Sequence, residues 1–356
     1  MDKTTERRLV LQGALSVAAT GSGLLGAVPA LAQAGDSLST LRSTSRSWLW
    51  SAEDYAFQNK LFEKAGLKVE LAATNRGVNQ DALLSGAADV LLGSPSTNMR
   101  VQLLGRPIRM ICGWVNKFAS NVVVKKTFAD KAGVTEASPV NDKAAVLRGL
   151  RIGTTGAGSG PDQLTRYFMQ RAGIDPERDA QIVPVQGGGT SMLAAFDKGQ
   201  IDGFCLSSPT SDVATTRFGG VYLFNMVTNP PAELSDFLYI VASVTEKTAK
   251  ERPRELTAYC RGIALALRSI SEDQAAFKAF AREYFKDLDA TLFDAAFANN
   301  VGMYMKTPVP TQKQFDINLE FLKAEHKVRK LPDIPATFTF DSAFDLSFVR
   351  KAMQGL

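Results

Sequence analysis

The chain has 356 residues, 45% of them hydrophobic and 22% charged, with 41 basic against 36 acidic side chains for a net charge of +5. That length suggests two domains or one large one, and the near-average composition excludes a disordered, collagen-like or multi-span membrane protein. A single histidine, His326, and three cysteines, Cys112, Cys205 and Cys260, rule out a His-based metal site and any CxxC motif, and no dense Lys/Arg block marks a nucleic-acid surface.

In chain order, residues 1–34 stand apart. Lys3, Arg7 and Arg8 form a short basic region, residues 9–34 carry no charge, and Ala30-Leu31-Ala32 gives an A-x-A exit. This is the pattern of a cleavable export signal. Arg7-Arg8 followed by Leu9-Val10-Leu11 resembles the twin-arginine motif, although Glu6 stands where Ser or Thr is usual. A membrane anchor is the alternative, weakened by the Gly, Ser and Thr content of the run. Removal of residues 1–34 leaves 38 basic against 34 acidic residues, a nearly neutral exported protein. An odd cysteine count allows at most one disulfide, and Cys112 and Cys205 sit in apolar runs that suit buried thiols.

From residue 41 the pattern alternates strand and helix. Residues 69–72, 89–93, 108–111 and 121–124 have the apolar, β-branched character of strands. Residues 79–86 have helical spacing and end at Gly86. The order then restarts: strand 151–155, helix 163–172 ended by Gly173, strand 181–185, helix 190–198 ended by Gly199, strand 201–206. In both copies a helix stops at Gly, two residues pass, and Asp opens a buried strand: Gly86 with Asp89, and Gly199 with Asp202. Glycine suits a helix end that turns left-handed. The repeat predicts two similar α/β lobes of the doubly wound class with parallel sheets. Residues 237–243 make a further strand, a return between lobes. Beyond residue 245 the chain turns helical, clearest at 254–270, 273–285 and 311–325, with an irregular tail from Pro332.

The phrases Leu84-Ser85-Gly86-Ala87-Ala88-Asp89-Val90-Leu91-Leu92-Gly93-Ser94, Gly105-Arg106-Pro107-Ile108, Leu147-Arg148-Gly149-Leu150-Arg151-Ile152-Gly153 and Gly199-Gln200-Ile201-Asp202-Gly203 resemble periplasmic solute-binding proteins of ABC transporters. The similar group includes sulfonate-, taurine- and nitrate-binding proteins and thiamine-precursor binders, over about residues 40–245. The resemblance implies a type II-like fold of two α/β lobes joined by a hinge, with a helical C-terminal part. Residues 35–118 and 236–356 would form one lobe and 119–235 the other. It also implies a small-molecule ligand and a membrane ABC permease as partners, with no cofactor, no nucleic acid and a monomeric chain.

In such sheets ligands lie at the carboxyl ends of the strands. That places the candidate contacts at strand ends. Thr155, Gly156, Gly158 and Ser159 form a Gly-rich corner before Pro161, whose backbone N–H groups suit an anion. Dinucleotide, P-loop and hydrolase-elbow motifs all fail here, at Pro161, Ser159 and Ala157 respectively. Gln186, Gly187 and Gly188 form the next corner, and Ser207-Ser208-Pro209 ends the third strand. Ser94, Ser96 and Thr97, around Pro95, end the matching strand of the other lobe. Trp48 or Trp50 offers an apolar wall. Asn75 and Arg76 follow the second strand, Arg76 being the leading cation for a carboxylate or sulfonate, with Arg217 second. Trp114 and Asn116 belong to hinge or cleft.

The expected function is therefore capture of a small organic anion without catalysis. A pyrimidine-synthesising enzyme of the same fold, which consumes its own His and uses pyridoxal phosphate, is the distant alternative. This chain lacks that group's Cys-rich segment and a His near the corners. A ligand-sensing subunit is the third reading.

Overall fold

The computed structural model describes residues 36–74 and 79–356. The predicted export signal and the candidates Asn75 and Arg76 lie outside the described residues.

The first part of the chain runs β1 (Ser37–Arg42), α1 (Ser51–Gln58), α2 (Leu61–Lys64), β2 (Lys68–Ala73), α3 (Asn79–Ser85), β3 (Val90–Gly93), α4 (Pro95–Leu103) and β4 (Ile108–Val115). The chain then continues as β5 (Asn121–Lys125), α5 (Lys126–Ala132), α6 (Val140–Ala145), β6 (Arg151–Thr154), α7 (Gly160–Arg171), β7 (Gln181–Pro184), α8 (Gly188–Asp197), β8 (Gly203–Leu206), α9 (Thr210–Arg217) and β9 (Gly220–Phe224). After β10 (Ile240–Thr245) come α10 (Glu246–Glu251), α11 (Pro253–Glu272), α12 (Gln274–Tyr284), α13 (Ala290–Asn300), α14 (Gln312–Val328), α15 (Phe340–Ala343) and α16 (Ser347–Ala352). The tail beyond Pro332, expected to be irregular, thus carries two short helices.

Two five-stranded sheets result, ordered β2-β1-β3-β10-β4 and β7-β6-β8-β5-β9. In each, three strands pair in parallel and the fourth position is antiparallel to both neighbours: β10 between β3 and β4, and β5 between β8 and β9. The sheets are therefore mixed, which corrects the expectation of purely parallel ones. The reason is connectivity. β5 and β10 are the strands on which the chain arrives after crossing from the other sheet. They enter at the end where the parallel strands finish, so they must run the opposite way.

The internal repeat has a structural cause. Gly86 (φ 78°) and Gly199 (φ 65°) both turn left-handed at their helix ends. The carboxylates that follow then tie adjacent strands together. Asp89 Oδ2 accepts from the Ser39 N–H at 2.8 Å, and Asp202 Oδ2 accepts from the Arg151 N–H at 2.9 Å.

The helical C-terminal part packs largely on the first sheet. α11 buries Leu256, Tyr259, Ile263 and Leu267 on one face, and α16 lies against it. Gly262 on α11 faces the Phe62 ring so closely that no Cβ could fit. All three cysteines are buried free thiols. Among the described residues no helix is long and apolar enough to cross a membrane.

Candidate functional site

The strand ends of the two sheets face a common cavity of about 360 Å³. Its walls come from the loops after β1, β2 and β3 on one side and after β6, β7 and β8 on the other. This is where parallel strands deliver their loops and the helices begin. Five helices of eight residues or more start at this wall: α1, α4, α7, α8 and α9. Three of these helices carry acidic side chains in their first turn, Glu53 with Asp54 on α1, Asp162 on α7 and Asp212 on α9, so their dipole ends are partly answered within the protein. The two sides approach closely at one point, where Ser47 Oγ lies 3.3 Å from Ser207 Oγ.

Most of the predicted site residues meet here. Trp50, Ser94, Thr97, Thr155, Gly156, Gly158, Ser159, Gln186, Gly187, Gly188, Ser207 and Ser208 all line the cavity. Ser94 is the N-cap residue of α4 and its Oγ lies 2.8 Å from Ser96 Oγ. Trp50 donates its indole N–H to Thr44 Oγ1 at 2.9 Å, so the two lining residues are tied together in one wall.

Other candidates fall elsewhere. Trp48 is fully buried, packed on Phe285, Phe293 and Phe297, and belongs to the core. Trp114 is likewise buried and donates to the Leu49 carbonyl at 2.8 Å, holding the loop that carries Trp50. Asn116 lies in the first crossover and donates to Asp236 in the second at 3.1 Å, which makes it a crossover tie. Ser96 is buried behind the wall and donates to Gln163 at 2.9 Å. Arg217 is not at the cavity; it pairs with Asp289 on the surface at 2.5 Å. Arg46 is the cation among the described lining residues, and it is already paired with Asp287 at 2.9 Å.

The Gly-rich corner is less open than its sequence suggested. Ser159 caps α7 by accepting from the Asp162 N–H, while the Gly158 N–H donates to Asp162 Oδ2 at 2.8 Å. One of the expected anion donors is therefore occupied by the protein's own carboxylate. Ser208 similarly donates its hydroxyl to buried Asp212, which also accepts from Tyr222 at 2.8 Å. Glycine is required here on two grounds. Gly158 (φ 76°) takes a left-handed turn, and at Gly160 a Cβ would come within 2.8 Å of the Tyr239 hydroxyl.

Several lining residues were not singled out from sequence: Ser43, Thr44, Asn79, Gln80, Ser120 and Tyr239. Ser43 and Thr44 follow β1 directly, so a search for hydroxyls after every strand would have found them. Ser120 and Tyr239 come from the two crossovers and bond at 2.6 Å. Only the tertiary structure brings them together. Burial pushes the Tyr239 hydroxyl well above its ordinary pKa, so it remains protonated.

Beneath the cavity floor, Arg42 at the end of β1 donates to Glu53 at 3.2 Å and to Asp54 at 2.7 and 2.9 Å. Its Nη2 also holds the Ser45 carbonyl at 2.9 Å, shaping the loop that carries Thr44 and Ser47. Burial raises the Glu53 pKa to about 7, opposed by the charge of Arg42 and by the hydrogen bond from Tyr259. Among the described residues no group of His, Cys, Asp and Glu could hold a metal ion.

Two mixed α/β lobes that close a hydroxyl-rich cavity between their strand ends define the periplasmic binding protein fold. The chain belongs to the NMT1-like family, which it matches over residues 55–283. Among solved structures it is similar to the alkanesulfonate-binding protein SsuA of Xanthomonas axonopodis bound to MOPS, with 16% identity, coverage of 84% of this chain and 95% of that one, and a TM-score of 0.65. It is also similar to the periplasmic nitrate-binding protein NrtA of Synechocystis, with 15% identity, coverage of 91% and 89%, and a TM-score of 0.67. A Bordetella bronchiseptica protein matches with 19% identity, coverage of 89% and 96%, and a TM-score of 0.71. No curated protein matches the sequence. At these identities the likenesses show a shared fold.

Proposed function

We propose that this protein is exported, captures a small organic anion of the sulfonate or carboxylate class between its lobes, and delivers it unchanged to an ABC permease. The observation that carries the reading is the cavity itself. Five helix N-termini converge on it, its wall carries hydroxyls that can donate to an anion, and Trp50 lies in the wall for an organic portion. Such a site suits a group with dispersed negative charge, which hydroxyl and N–H donors can satisfy together. Arg76, two positions after the lining residue Thr74 in the sequence, is the cation assigned to the anionic head in this reading. The lobes are residues 35–118 with 236–356, and 119–235, and the working form is a monomer.

The test is a thermal-unfolding screen of the chain beginning after Ala34. A ligand at about 100 times its Kd adds roughly 2.7 kcal/mol of stability, a readily measured rise in Tm. Alkanesulfonates, aromatic and aliphatic carboxylates, nitrate and neutral pyrimidines form the panel. A rise confined to the organic anions supports the reading; no rise with any of them, or a rise with pyrimidines alone, overturns it.

A further inference from the structure

We propose that Glu325 on α14 is a positioning residue, a latch that holds the two lobes together behind the cavity; the proposal rests on the two-lobed solute-binding reading. α14 lies across both crossovers. Phe321 packs on Phe118 of the first crossover and on Phe237 of the second, and Asn318 donates to the Leu238 carbonyl at 3.0 Å. The same helix touches α4 of one lobe and α7 of the other, with Phe321 also against Tyr167 of α7.

Glu325 is 6% exposed and sits where those elements meet. Its Oε2 accepts from Arg100 of α4 at 2.5 Å and from Gln163 of α7 at 3.0 Å, so one carboxylate oxygen is shared between lobes. Both partners reach the cavity wall. Arg100 Nη1 donates to the carbonyl of Gly158 at 3.2 Å, and the position a Gly158 Cβ would take lies 2.5 Å from the same nitrogen. Gln163 Oε1 accepts from Ser96, whose hydroxyl meets that of the lining residue Ser94. A continuous chain of polar contacts thus runs from one cavity wall, through a buried charge, to the other. Bending at the crossovers carries α4 away from α7 and must break it. The broken state leaves a carboxylate without one of its donors and Gln163 without both partners, which opposes opening. Arg329, the C-cap residue of α14, also donates to Glu325, at 3.1 Å, but from the same end of the chain segment and on the exposed side, so it does not join the lobes.

The experiment reads lobe separation without ligand, so it does not depend on which solute binds. Spin labels at Lys60→Cys and Lys198→Cys, exposed positions beside α2 and α8, report the inter-lobe distance by double electron–electron resonance. The native cysteines are buried and stay unlabelled. Glu325→Gln is expected to raise the longer-distance population about tenfold, the loss of one charge-assisted hydrogen bond. Gln163→Met, which leaves the Arg100–Glu325 pair intact, is expected to do the same and serves if Glu325→Gln does not fold. Arg329→Gln is expected to leave the distribution unchanged. An unchanged distribution in a folded Glu325→Gln or in Gln163→Met, or an equal shift in Arg329→Gln, overturns the latch. A silent thermal screen with intact distance shifts would instead count against the solute reading alone.

Discussion

The two sheets share one plan and fill one matching core position in opposite ways. Residue pairs tied by the shared Asp place Leu41 and Val90 of the first sheet at the positions of Gly153 and Gly203 in the second. In the first, the strands provide the bulk: Leu41 and Leu91 pack with Leu83 of the covering helix. In the second, Gly153 at the Leu41 position leaves that volume to the helix: Met192 of α8 fills it, beside Phe204 at the position of Leu91, and a Cβ on Gly153 would lie 2.6 Å from Met192 Sδ. Equivalent volume can be placed on either layer, so the fold is kept by the turn and tie residues while core side chains migrate between helix and strand.

Moving one lobe's solution into the other is the sharpest way to break that comparison. Gly203→Val, which copies Val90, puts a Cβ within 2.6 Å of the Val123 carbonyl oxygen, a backbone atom that cannot move aside. A loss of about 3 kcal/mol or more is expected in urea unfolding. Gly153→Ala should cost less, about 1 kcal/mol, because the flexible Met192 side chain can give way. Equal losses for the two would remove the distinction between backbone and side-chain contact.

The shared tie should respond alike in both lobes. Asp89→Ala and Asp202→Ala each remove a carboxylate that accepts from a strand N–H and from an arginine, Arg252 or Arg151. Each should lower stability by about 2 kcal/mol. A loss in only one lobe would show that the repeated Gly-x-x-Asp phrase is structural in that lobe alone.

A pH-dependent effect belongs to the buried cluster under the first lobe's cavity. The Glu53 carboxyl, at about 7 in the folded chain against 4.5 as its ordinary value, binds its proton more tightly when folded. Its contribution is therefore fully present below pH 4.5 and lost as pH rises through 7. Glu53→Gln should flatten that part of the Tm profile between pH 4.5 and 7.5. An unchanged slope would mean that Arg42 and Tyr259 satisfy the ionised carboxylate completely.

The strand–helix order was legible because it depends on local properties. β-branched runs, left-handed glycines at 86 and 199, and Pro161 at a helix start each act within a few residues. The strand-end loops were legible for the same reason, so Ser94, Thr155 and the 186–188 corner were found at the cavity wall. Trp48 and Trp50 could not be told apart, because the aromatic box that buries Trp48 comes from residues 285–297, more than 230 positions along the chain. The corner at 156–160 looked open because the Asp162 side chain that occupies the Gly158 N–H folds back only in the finished helix start.

By itself, then, the sequence determined two α/β lobes, their turn glycines, and hydroxyl-bearing loops at the strand ends. Tertiary structure decided that β5 and β10 run against their neighbours, that Trp48 and Trp114 belong to the core, and that Glu325 meets both Arg100 of α4 and Gln163 of α7. Backbone conformation is fixed by each residue's own allowed angles and near neighbours, whereas side-chain direction and charge pairing are fixed by whichever distant segment arrives to pack against them.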